Sequence, residues 1–111
     1  RKAGLRLENR IPGGDVNPYL AVAAMIAAGL DGIEKGMELK PEFTGNAYES
    51  GDAKAPTSLG EAVGLWSGSE WVAETFGEDV QEHYANMGRI ELDAFGRAIT
   101  DWERFRGFER L

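Results

Sequence analysis

Three residues near the amino terminus carry the clearest chemical suggestion in the sequence. Arg6, Glu8 and Arg10 follow one another at two-residue steps. In an extended strand successive side chains leave on opposite faces, so these three share one face while Leu5, Leu7 and Ile11 take the other. Same-face neighbours then stand roughly 6.5–7 Å apart. A carboxylate between two guanidinium forks suits a metal-bound anion. Glu supplies a hard oxygen ligand, and each Arg supplies paired donors for carboxylate or phosphate. The same triplet also describes a solvated strand face whose exposed ion pairs carry little energy.

The elements that must position this triplet can be read outward from it. Residues 2–11 alternate as a strand and stop at the turn Pro12-Gly13-Gly14. A helix over residues 17–35 follows. Asp15 or Asn17 can cap it, Pro18 suits its first position, and Gly36 lies just past its end. Tyr19, Leu20, Val22, Met25, Ile26, Leu30 and Ile33 alternate with alanines, so this helix is apolar nearly all round and calls for burial on most sides. A chain of 111 residues has difficulty surrounding it, which leaves surface for another segment or subunit.

Residues 37–57 lose periodicity among Gly36, Pro41, Gly45, Gly51 and Pro56, and form a loop of a length that tends to be functional or mobile. Residues 58–111 read as closing helices. Ser58-Leu59-Gly60-Glu61 has the form of a capping box opening a short helix to about Trp66. Ser69 is placed to cap a second over residues 70–76, which stops at Gly77. A longer helix is expected from Glu78 to about Arg106. Its apolar stripe of Val80, Tyr84, Met87, Leu92, Phe95, Ile99 and Trp102 reads as core, with Gly88 marking a kink or a close contact. The predicted fold class is therefore α+β, mostly helical with one N-terminal strand, as part of a larger domain. A lone strand has unpaired edges, so self-association is expected of these residues in isolation.

Composition narrows the function classes. With 42% hydrophobic and 28% charged residues the chain is globular rather than disordered. Its net charge of −7 and the lack of a basic patch disfavour non-specific nucleic-acid binding. There is no cysteine, so disulfides, thiolate catalysis and cysteine metal sites are excluded. No segment has the form of a signal peptide, and the apolar run over residues 19–30 falls short of the about 20 residues that cross a bilayer. His83, the one histidine, lacks a second histidine partner and reads as a surface residue. Asp101 and Glu103 read as a solvated face. Gly13-Gly14 lacks the spacing and the Lys-Ser/Thr ending of a phosphate loop. The chain begins at Arg1 rather than a methionine, and a piece of something longer is expected.

In order, Arg6-x-Glu8-x-Arg10, Asn17-Pro18-Tyr19-Leu20-Ala21, Ala28-Gly29-Leu30-x-Gly32-Ile33, Pro56-Thr57-Ser58-Leu59-x-Glu61-Ala62 and Thr100-Asp101-Trp102-Glu103 resemble the C-terminal part of the glutamine synthetase catalytic domain. The resemblance implies an ATP-dependent carboxylate–amine ligase acting through a γ-glutamyl phosphate, with phosphoryl transfer aided mainly by positioning and charge neutralisation. By that resemblance Glu8 is one ligand of Mg²⁺ or Mn²⁺, Arg10 grips glutamate or the acyl phosphate, and Arg6 is a catalytic residue facing the nucleotide phosphates. Asn9 and the Pro12-Gly13-Gly14-Asp15 turn look closer to branches that ligate larger amines than to ammonia-using members. The implied partners are glutamate, ATP, ammonia or an amine, the upstream part of the same chain and further copies in a ring. The implied location is the cytoplasm. One carboxylate does not hold a catalytic Mg²⁺, so these residues alone are expected to be inactive. Two competing expectations are a non-catalytic helical assembly or scaffold domain, and a family member that has lost catalysis.

Overall fold

The computed structural model describes residue 4, residues 6–108 and residue 110. It is mostly helical and divides into two compact units, Arg1–Ala55 and Pro56–Leu111.

The first unit is built on α1 (Pro18–Glu34). Asn17, not Asp15, caps it: its Oδ1 accepts the N–H groups of Tyr19 at 3.0 Å and Leu20 at 3.2 Å, and Pro18 takes the position where a missing N–H costs nothing. The far end closes by backbone bonds. Gly36, at φ +59°, donates to Ile33 O at 3.1 Å, and Met37 donates to Gly32 O at 2.9 Å. This double bond pattern needs a left-handed residue where Gly36 stands. None of the residues of α1 is buried, and Tyr19 and Ile33 are 87% and 79% exposed. The burial anticipated for this helix is therefore not met within the chain. Beyond α1 the loop holds one 3-10 turn, Ala47–Glu49, where Asn46 accepts the Tyr48 N–H and donates to Glu49. Lys40 bonds Asp52 at 2.5 Å across the loop and holds that carboxyl below its usual range, chiefly through the hydrogen bond itself.

The strand expected over residues 2–11 is not seen at residues 4 and 6–11, and no strand occurs among the described residues. Residues 6–10 are irregular, and Ile11 and Pro12 form a bend. Lys2 and Leu5, which shared in that expectation, lie outside the described residues. The physical reason is non-local: a strand is held by ladder hydrogen bonds to a neighbour, and among the described residues no segment pairs with this one. The α+β prediction is corrected accordingly.

The second unit contains α2 (Leu59–Ser67), α3 (Glu70–Phe76), α4 (Glu78–Arg97) and α5 (Asp101–Phe108). Ser58 Oγ accepts the Glu61 N–H at 3.2 Å, but the Glu61 carboxylate reaches back to the N–H and hydroxyl of Thr57 rather than to Ser58. Ser69 caps α3, and Gly77 at φ +87° separates α3 from α4. Helix α4 packs on both α2 and α3 around buried Val72 and Ala85. Trp66 joins them, with ring centroids 5.9 Å from Phe76 and 6.0 Å from Tyr84. Its indole N–H donates to Gln81 O at 2.8 Å, while the Gln81 amide donates to the carbonyls of Trp66 at 2.8 Å and Ser69 at 2.9 Å. Gly88 is the close contact rather than a kink, since α4 runs through it and Val63 fills the space a side chain would need.

The single helix expected from Glu78 to about Arg106 is broken. Ala98 is extended, and α5 restarts behind Thr100. Thr100 Oγ1 accepts the Glu103 N–H at 3.3 Å, and Glu103 accepts the Thr100 N–H at 2.8 Å. This reciprocal box is worth more than continuing the helix through a β-branched pair. Glu103 is thus a capping residue and not only part of a solvated face. The break also leaves Ile99 and Trp102 76% and 68% exposed, so the distal part of the apolar stripe is not core within this chain. Arg106 lies over the Trp102 ring, 5.3 Å from its centroid. Among the described residues no helix is long and apolar enough to cross a membrane.

Candidate active site

Arg6, Glu8 and Arg10 are all exposed. Arg10 Nε donates to Glu8 Oε1 at 2.5 Å, so these two side chains share a side even without a strand. With Glu8 56% and Arg10 85% exposed, the pair adds little to stability. Arg6 makes no ion pair or hydrogen bond among the described residues, so the structure joins two of the three predicted residues and leaves the third apart. Between them Leu7 stands at the edge of an apolar groove of about 370 Å³ along α1, lined also by Val22, Met25, Ile26, Leu30 and Ile33. Leu7 itself stays 92% exposed, so the groove does not seat this stretch, and its apolar and charged members alike face solvent.

Asn9 does something its type and position did not single out. Its Oδ1 accepts the Ile11 N–H at 3.0 Å, closing a side-chain turn around Arg10. An Asn two residues before a bend and three before a proline was the available signal.

A divalent ion needs several oxygen ligands, and this chain brings one carboxylate to the triplet, already paired with Arg10. Among the described residues no group of three or more His, Asp or Glu side chains could hold an ion. His83 is exposed and lies edge-on to Tyr84, its ring centroid 5.3 Å away. These residues therefore do not form a metal site by themselves. What the stretch can do is offer one guanidinium oriented by a carboxylate, a second guanidinium nearby in sequence, and one hard oxygen.

Comparison with known proteins places the chain in a class of glutamine synthetase-type ligases. The model of the glutamine synthetase catalytic domain matches residues 1–106. The chain belongs to the glutamine synthetase family, as the C-terminal part of its catalytic domain. It is 57% identical over 107 residues to the gamma-glutamylethanolamide synthetase GlnA4 of Streptomyces coelicolor, covering 96% of this chain and 23% of that protein. It is 41% identical over 104 residues to the glutamate–isopropylamine ligase of a Pseudomonas species, covering 91% and 23%. The glutamine synthetase of Mycolicibacterium smegmatis is 37% identical over 106 residues, covering 88% and 24%. The chain spans about a quarter of the length of the curated relatives it matches.

Proposed function

We propose that these residues serve an ATP-dependent ligase that joins glutamate to an amine through a γ-glutamyl phosphate. In the first step a carboxylate oxygen of glutamate attacks the γ-phosphorus, and ADP leaves. In the second the amine nitrogen attacks the acyl carbon, phosphate leaves, and the nitrogen loses a proton. Arg10 grips the glutamate carboxylate or the acyl phosphate through its paired donors, and Arg6 faces the charge that develops on the phosphoryl oxygens. Glu8 orients Arg10 and offers one oxygen to Mg²⁺ or Mn²⁺, whose other ligands come from outside these residues. The working enzyme is a cytoplasmic homo-oligomer in this reading, and the present residues alone do not turn over substrate.

The observation that carries the proposal is the 2.5 Å Glu8–Arg10 pair in a chain of this family. An amine larger than ammonia is favoured because the relatives at 57% and 41% identity bear the names of ethanolamide and isopropylamine ligases. The test is mass-spectrometric detection of the γ-glutamyl amide made by the full-length protein from glutamate and ATP, with ammonia, ethanolamine and isopropylamine compared. Product with at least one amine is expected, and none with any of the three would overturn the reading. A second reading, an assembly domain, is favoured by the uncovered apolar face of α1. It predicts that the triplet is dispensable.

A further inference from the structure

We infer that Asn9 is a positioning residue for Arg10, an assignment that rests on the ligase reading above. The side-chain oxygen of Asn9 accepts the N–H of Ile11, two residues on, at 3.0 Å. The ring so closed has Arg10 as its central residue and imitates a backbone turn. On the other side Pro12 restricts Ile11 to extended backbone and cannot itself donate a hydrogen bond. Arg10 therefore sits between two local constraints, and its guanidinium meets Glu8 Oε1 at 2.5 Å from a backbone that is already set.

This arrangement matters because, among the described residues, only Glu8 pairs with the Arg10 side chain. Arg10 is exposed, and the surrounding residues 6–10 belong to no regular element. An arginine that must order itself when its anion arrives loses rotamer and backbone freedom at that moment, and the loss weakens binding. The Asn9 turn removes the backbone part of that loss in advance. Asn9 does not touch the anion in this account, so its removal weakens glutamate binding more than it slows the chemistry of bound substrate.

The experiment compares Asn9→Ala, Asn9→Asp and Asn9→Ser in the full-length protein, with Arg10→Ala as a control. Steady-state glutamate-dependent ATP hydrolysis is measured across glutamate concentrations. Asn9→Ala is expected to raise KM for glutamate roughly three- to tenfold, the worth of one local hydrogen bond, with a smaller change in kcat. Asn9→Asp and Asn9→Ser keep an acceptor at the same place, and at least one of them is expected to restore KM to within about twofold of the parent. A KM unchanged by Asn9→Ala, a loss confined to kcat, or acceptor-bearing variants as impaired as Asn9→Ala would overturn the inference. If Arg10→Ala itself leaves KM unchanged, the ligase reading of Arg10 fails and the inference falls with it. A damaging Arg10→Ala beside a silent Asn9→Ala sinks the inference alone.

Discussion

Replacing Gly88 with alanine sets two opposed effects against each other at the α2–α4 contact. Alanine in a helix interior is favoured over glycine by about 1 kcal/mol. A Cβ at residue 88, however, would collide with Cγ2 of Val63, and would lie 3.7 Å from Val63 Cβ and 4.0 Å from Leu59 Cδ1. Val63 is β-branched and lies within α2, where one side-chain rotamer dominates, so it cannot swing aside cheaply. Overpacking of this kind costs about 1–3 kcal/mol. Gly88→Ala is therefore expected to destabilise by about 0–2 kcal/mol, despite the gain in propensity. Val63→Ala alone removes two methyl groups and should cost up to about 1.6 kcal/mol. In that background the collision is gone, and Gly88→Ala should stabilise by about 1 kcal/mol. A urea-unfolding double-mutant cycle on the full-length protein reads the difference as a coupling of about 1–3 kcal/mol. The same effect of Gly88→Ala with and without Val63 would refute the packing argument.

Three further predictions concern the second unit. Gln81→Glu should destabilise the α2–α4 contact by about 1–3 kcal/mol in urea unfolding and by more than Gln81→Ala, because it aims acceptors at the Trp66 and Ser69 carbonyls that now receive N–H donors. Thr100→Ala should lower the stability of α5 by about 1 kcal/mol, seen as faster amide exchange over Asp101–Phe108. The same cap predicts an acid response. Hydrogen bonds from the Thr100 backbone and then its hydroxyl hold the Glu103 carboxyl below its ordinary value of 4.5. Its contribution is fully present above that value and is lost as pH falls through the lowered one. Protection factors over α5, that is, exchange corrected for the slower intrinsic rate in acid, should therefore fall below about pH 4.5, and less so in Thr100→Ala, which lacks one of the two bonds.

The parts of this fold that were legible in the sequence are those decided within a few residues. Asn17-Pro18, Gly36, Ser58, Ser69 and Gly77 act on backbone groups in their own turn, so residue type and position suffice to place the helix ends. The break before α5 was legible in principle through Thr100-x-x-Glu103, but the apolar steps Phe95, Ile99, Trp102 run straight across it, and periodicity argued for continuity. The strand over residues 2–11 failed for the opposite reason. Alternation sets which face a side chain takes, whereas a ladder needs a partner that no local pattern supplies. At the site, Glu8 and Arg10 do pair, but within irregular backbone rather than through the strand alternation from which a shared face was expected. The Gln81 amide that ties α4 to the α2–α3 turn left no mark, because a glutamine on a helix face looks the same whether it meets carbonyls or water.

The central claim is that the Arg6, Glu8 and Arg10 face works in catalysis rather than in assembly. The most direct measurement is glutamate-dependent phosphate release by the full-length protein, with its preferred amine, beside the variant carrying Arg6→Ala, Glu8→Ala and Arg10→Ala together. Oligomer size is recorded for both by light scattering. The account predicts an unchanged oligomer and a turnover lowered by about 10²-fold or more, the scale of losing charge-stabilising groups at a reacting centre. Turnover retained by the triple variant, or an oligomer that dissociates with it, would contradict the account.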